Sequence, residues 1–264
     1  MDYLKINQQL WNNKTAAHFH SDFYDVPSFL AGKSSLKTIE LALLGTSIKG
    51  KRILHLQCHF GLDSFSLARL GAQVTAVDFS EKAIQKAREL KHQLKLDVQF
   101  IQSDINQLDQ VLDQKFDLIF TSYGVLGWHP DLLRWAEIIH HFLMPGGRLI
   151  LVEFHPVVWM FDDHFNKIAY QYMNGEAIIE HIEGTYADKN AALKDQSITW
   201  NHGLSTVIQA LLKHQLHLQD FKEYNYSPYN CFEKTVQIAS DKYQIVGLEN
   251  KIPMVYSLIA KKKD

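Results

Sequence analysis

From Lys51 onward, short runs rich in aliphatic and β-branched residues alternate with longer stretches whose apolar residues recur at helical spacing. Residues 52–56, 74–78, 98–102, 116–122 and 148–154 read as five strands. Residues 63–70, with Phe65, Leu67, Ala68 and Leu70, form the first intervening helix; 80–94 and 131–143 form the next two, with Ser80, Glu81 and Pro130 as helix-start signals. Strands that alternate with helices predict an α/β fold, a parallel sheet with helices on both faces. Pro145-Gly146-Gly147 reads as the turn between the last of these helices and the fifth strand.

The flanking segments follow other rules. Residues 1–45, with Leu36, Ile39, Glu40, Leu43 and Leu44 at helical spacing, predict an N-terminal helical cap before the core of residues 50–155. Residues 156–200 lose any clean period and gather Trp159, Phe161, Phe165, Tyr170, Tyr172 and Tyr186, which predicts a lid-like insertion over the sheet. After it, 204–213 is helical, 216–224 is strand-like and 254–260 is a last apolar strand, so residues 201–264 return to the sheet. No repeat interrupts the chain, and a single domain over residues 1–264 is the expectation.

Composition narrows the choice of function. Of the 264 residues 46% are hydrophobic, ample for a packed core, and the net charge of -2 leaves no electrostatic footprint for a nucleic-acid backbone. Only Cys58 and Cys231 are present, and there is neither a signal-peptide pattern nor a membrane-length apolar run, so a cytoplasmic protein without a membrane partner is expected. His55, Cys58 and His59 lie close together, but without a second paired cluster they predict a packed turn rather than a metal site.

In an open parallel sheet ligands bind beyond the carboxyl ends of the strands, so the turn after the first strand, residues 55–63, is where a site is expected. Asp78 ends the second strand 17 positions after Gly61, close to the ~20-residue spacing at which a carboxylate reaches a ribose hydroxyl pair. That predicts a nucleoside-containing cofactor; Asp78 capping the next helix is the alternative.

The series as a whole resembles the class I S-adenosylmethionine-dependent methyltransferases over residues 50–155 and in its last strand. Residues 53–61 stand where that family's glycine-rich motif follows the first strand, and Ala76-Val77-Asp78-Phe79-Ser80 looks like its ribose-binding strand end. Phe100-Ile101-Gln102-Ser103-Asp104-Ile105 resembles the segment that meets the adenine, residues 116–122 the fourth-strand motif and residues 143–149 the turn into the fifth strand. Within the family, Leu-Gln-Cys-His-Phe-Gly-x-Asp at 56–63, an N-terminal Trp11-Asn12 and Ser227–Phe232 are similar to a small-molecule branch.

The resemblance implies a Rossmann-like, seven-stranded, mostly parallel sheet, S-adenosylmethionine as cofactor with S-adenosylhomocysteine as product, and a small-molecule methyl acceptor. It implies cofactor contacts from Gln57, His59, Gly61, Asp63, Asp78, Phe79, Ser80, Asp104, Ile105, Thr121 and Ser122, with Trp11 and Tyr24 closing over the cofactor from the cap. Gln57 and His59 depart from the family by standing where glycines are usual, and His55 stands where an acid is common. A cofactor without phosphate tolerates this better than a dinucleotide would, which disfavours the competing NAD-dependent oxidoreductase. A non-catalytic module that binds S-adenosylmethionine is the other alternative. By the strand-end rule His155 and His129 are the candidate bases; Tyr123 joins them as a candidate catalytic residue, and Tyr123, Tyr226 and Tyr229 either shape an aromatic pocket or simply cover the sheet.

Overall fold

The computed structural model describes residues 2–45, 48–173 and 175–263. Met1, Thr46, Ser47, Asn174 and Asp264, which fall in or beside the expected cap, insertion and C-terminal segment, lie outside the described residues. In chain order the elements are α1 (Tyr3–His20), α2 (Val26–Leu30), α3 (Thr38–Leu44), β1 (Arg52–Leu56), α4 (Leu62–Arg69), β2 (Gln73–Asp78), α5 (Glu81–Leu94), β3 (Val98–Gln102) and β4 (Phe116–Ser122). They continue with α6 (Leu132–Phe142), β5 (Leu143–Phe154), β6 (Ile178–Glu183), β7 (Lys194–Thr199), α7 (Leu204–Lys213), β8 (Leu216–Tyr224), β9 (Thr235–Ala239), β10 (Lys242–Ile245) and β11 (Val255–Lys262).

One seven-stranded sheet runs in the order β3-β2-β1-β4-β5-β11-β8. Strands β3 to β5 pair in parallel, while β11 is antiparallel to both neighbours. The order reverses at β1 and β4, so their carboxyl ends splay apart and leave a crevice there. The central strands are buried on both faces. Ile53, Phe120, Ile150 and Val152 pack with α4, α5 and the cap, whereas Leu54, Leu56, Ile119, Leu149 and Leu151 pack with α6 and α7. Helix starts follow the capping residues: Ser80 accepts from Ala83 N at 3.1 Å and Asp131 from Leu133 N at 2.8 Å.

Two departures from the sequence reading have local causes. Pro145-Gly146-Gly147 does not precede β5 but lies within it, where the register against β4 slips between Phe116 and Leu118. A Cβ at Gly147 would meet Met144 O at 2.9 Å, so the bulge requires glycine. The insertion also holds more order than its irregular period predicts: β6 and β7 pair as an antiparallel hairpin over residues 178–199. A second hairpin, β9–β10, follows β8. Among the described residues no helix is long and apolar enough to cross a membrane.

Candidate active site

A cavity of about 720 Å³ opens at the carboxyl ends of β1, β2, β4 and β5. Its floor is the turn from Gln57 to Asp63. Gln57 (φ 54°) and His59 (φ 51°) hold the left-handed backbone that glycine adopts freely. Asp78 pins this turn, its Oδ2 accepting from His59 N at 2.8 Å and its Oδ1 from Ser80 N at 2.8 Å. Burial still pushes the Asp78 carboxyl up to about 6 against the pull of these amides. Gly61 (φ 83°) starts α4, and a Cβ there would meet the Phe100 ring at 2.7 Å.

The rear wall is held by another carboxylate. Glu153 of β5 is buried and collects four backbone N–H groups: Gly124 (2.5 Å) and Phe154 (2.6 Å) on Oε1, Val125 (2.7 Å) and Leu126 (3.0 Å) on Oε2. This fixes the turn after β4, from which Tyr123 and Trp128 face the cavity.

The roof comes from outside the core. Asn7 of α1 donates to Ile198 O at 2.7 Å and accepts from Ile198 N at 3.0 Å, and Asn13 donates to Asp195 at 2.8 Å, so α1 is tied to β7. Gln8 donates to Phe79 O at 2.8 Å and Asn12 accepts from Ser80 Oγ at 2.7 Å, which ties α1 to the end of β2. The Tyr24 and Tyr186 hydroxyls meet at 2.5 Å, joining cap to insertion. Beneath them Trp11, Tyr24 and Phe60 surround the His59 ring at centroid distances of 4.2–5.4 Å.

The comparisons with known proteins agree with this geometry. Residues 47–223 match the family model described as a methyltransferase domain. The chain belongs to this family. A ubiquinone biosynthesis O-methyltransferase of Coxiella burnetii is 36% identical over 123 residues, a match that covers 47% of this chain and spans only 50% of that relative. Two solved structures share the fold: an S-adenosylmethionine-dependent methyltransferase from Mesorhizobium loti (TM-score 0.59, 20% identity, 88% of this chain and 100% of that one) and one from Clostridium acetobutylicum (TM-score 0.58, 14% identity, 98% and 99%).

In this family member the cavity wall brings together Trp11, Tyr24, Gln57, His59, Gly61, Asp63, Asp78, Phe79, Asp104, Ile105, Ser122, Tyr123 and His129, all singled out from the sequence. Three expected contributors lie elsewhere. Ser80 spends its hydroxyl on the start of α5 and on Asn12. Thr121 is buried between strands, donating to Leu56 O at 3.3 Å. His155 leaves the cavity altogether: its Nδ1 accepts from Val157 N at 3.2 Å, its Nε2 lies 2.9 Å from Glu223 Oε1 on β8, and its ring packs edge-on against Tyr256. Pro156 and Phe154 face the cavity on either side of it. Of the outer tyrosines, Tyr229 reaches the wall, whereas Tyr226 packs on Tyr224 instead.

His129 does reach the wall, but burial lowers its pKa to about 3. Its Nε2 is 3.3 Å from Gln57 Oε1, and Gln57 Nε2 donates to Val125 O at 2.9 Å. The Gln57 oxygen must therefore accept, which puts the His129 proton on Nε2 and makes His129 a positioning group for Gln57. Of the turn's histidines, His55 has its Nδ1 2.7 Å from Ser64 Oγ, whereas both ring nitrogens of His59 lack a partner among the described residues and burial lowers its pKa to about 3.

Sequence reasoning missed several groups. Lys14 lines the wall and burial lowers its pKa to about 8. His18, fully buried, leaves both ring nitrogens without a partner among the described residues. Glu40 has no exposed surface (0%). The signal for Glu40 was present, since a carboxylate stood inside the apolar stripe of the third cap helix.

Proposed function

We propose that this chain binds S-adenosylmethionine across the ends of β1, β2 and β4 and transfers its methyl group to a small-molecule acceptor, releasing S-adenosylhomocysteine. The observation that carries the reading is Asp78: a buried carboxylate at the end of β2, lining the cavity, with lone pairs left over from its two backbone amides. Those lone pairs suit the two hydroxyls of a ribose, and the negative charge would repel a 2′-phosphate. Gln57 and His59 put side chains where a dinucleotide's pyrophosphate needs bare backbone, so the floor fits a nucleoside with an amino-acid arm better than NAD. Asp104, Ile105 and Ser122 line the same wall, and on this reading the first two meet the adenine and Ser122 the amino-acid arm.

When bound, the cofactor supplies an electrophilic methyl group on sulfur. The chain's own work is then to hold an acceptor in line with that methyl and keep water out. The roof of α1 and the β6–β7 hairpin performs the second task. A roofed cavity of about 720 Å³ suits the cofactor together with a small acceptor. His155 and His129 are poor bases for the reasons given, which leaves Tyr123, just after β4 with φ 47° and on the cavity wall, as the remaining candidate of the three.

Calorimetry with S-adenosylhomocysteine and NAD, followed by a screen of small phenols, amines and thiols for S-adenosylhomocysteine release, tests the proposal. Tighter binding of S-adenosylhomocysteine than of NAD, and release with at least one acceptor, are expected. A preference for NAD would overturn it.

A further inference from the structure

Six rings on the cavity wall have no part in the cofactor reading: Phe154 at the end of β5, Trp159 in the turn that follows it, Phe161 and Phe165 of the insertion, and Tyr229 and Phe232 after β8. They are contiguous. Phe154, Trp159 and Phe232 form a triangle with centroids 5.0–5.7 Å apart and planes inclined by 61–88°. Phe165 stands edge-on to Phe232 at 5.8 Å and stacks on Phe161 at 5.4 Å. Tyr123, just after β4, joins the group through Phe154 at 5.5 Å and Tyr229 at 5.0 Å. Trp159 leaves 42% of its surface uncovered.

The charged groups beside these rings are engaged. Glu233, next to Phe232, pairs with Lys189 Nζ at 2.9 Å and lies 3.1 Å from His164 Nδ1. Asp162, next to Phe161, accepts from the backbone of Asn166 at 2.7 Å and of Lys167 at 3.4 Å. Asp163 stands exposed to water. The Glu233 contacts, with a bond from Lys234 Nζ to Asn166 Oδ1 at 2.5 Å, also tie the insertion to the segment after β8, so the two segments that supply the rings are held together.

We propose that these rings receive the methyl acceptor and that the acceptor is an uncharged aromatic compound, its ring against Phe154, Trp159 and Phe232 and its nucleophilic atom toward Tyr123. The inference rests on the methyl-transfer reading and names the substrate class of that site. A charged acceptor would have to shed water against apolar rings whose acidic and basic neighbours are already taken up by one another or by backbone amides, and its charge would go uncompensated. A cation would recover part of this loss over the ring faces, in competition with its full hydration. An uncharged ring gives up no such hydration. It buries apolar area, covers the open surface of Trp159 and adds edge and face contacts of the kind the six rings already make with one another. A saturated ring of the same size buries the area without those contacts.

The test is calorimetry of the full chain, saturated with S-adenosylhomocysteine, against four probes of similar size: 2-naphthol, decahydro-2-naphthol, 2-naphthoate and 2-naphthylmethylammonium. The first should bind tightest, the saturated alcohol at least ~3-fold more weakly and the two ions at least ~10-fold more weakly. Trp159→Ala should weaken 2-naphthol by ~10-fold while leaving the affinity for S-adenosylhomocysteine and the thermal midpoint unchanged, and Trp159→Phe should restore most of the loss. Either ion or the saturated alcohol binding inside its margin, wild-type affinity for 2-naphthol in Trp159→Ala, or no binding by any probe would overturn the assignment. Failure of S-adenosylhomocysteine to bind would instead overturn the cofactor reading, and the same four titrations without it would still decide the class of compound the rings accept.

Discussion

Glu153→Gln isolates one atom's worth of chemistry. In the native protein each carboxylate oxygen takes two backbone N–H groups, from Gly124 and Phe154 on one side and Val125 and Leu126 on the other. A glutamine keeps the shape and replaces one acceptor oxygen by an amide nitrogen that can only donate, so whichever way it turns, two buried N–H groups face a donor. Each loses a bond to a charged acceptor worth ~1.5–3 kcal/mol, and the pair together ~3–6 kcal/mol, a large share of a typical net stability of ~5–15 kcal/mol. Urea denaturation followed by circular dichroism measures the loss as a fall in midpoint at constant slope. The turn after β4 should loosen first, and Trp128, whose Nε1 donates to Gly124 O at 2.7 Å, reports on it by fluorescence. A destabilisation below ~1 kcal/mol would show that these amides find water or other partners as readily, and would remove the claim that Glu153 shapes the cavity wall.

Other outcomes follow from the same geometry. Asp78→Ala should weaken S-adenosylhomocysteine binding by at least ~10-fold from the lost charged hydrogen bonds, and in the wild type affinity should fall as the pH drops through about 6, where this raised carboxyl takes up its proton; pH-independent calorimetry would contradict it. His155→Gln should lower the thermal midpoint while leaving turnover within a few-fold of wild type, because the ring packs between Tyr256 and Glu223 outside the cavity; a ~10²-fold loss of kcat would restore it as a catalytic group. Asn7→Ala removes both bonds to Ile198, so hydrogen exchange should quicken in 178–199 while the strands of the sheet stay protected.

The parallel core was legible because its strands are buried on both faces and read as unbroken apolar runs, and because Asp78 and Gly61 serve backbone geometries that few residues can meet. The β6–β7 hairpin was not, since Ile178–Glu183 alternates half-buried and exposed positions over only 6 residues, with Ile179 on the exposed face and Glu180 on the half-buried one. The strand-end rule placed His129, Tyr123 and His155 at the correct end of the sheet. It gives no direction for a side chain, and Pro156 after His155 lets that ring settle toward β8. Glu40 was placed on the helical stripe with Ile39, Leu43 and Leu44, but spacing gives a face of the helix and not the full burial of its carboxyl.

The roof over the cavity is stitched by amide side chains at its edges as well as by ring contacts of Tyr3 with Trp200 and Trp11 with Trp128. Asn7, Gln8, Asn12 and Asn13 each make bonds that water can take over once the helix lifts. On the methyl-transfer reading a bulky nucleoside product has to leave by way of this roof, so a chain that held α1 more tightly would be a better container and a slower catalyst.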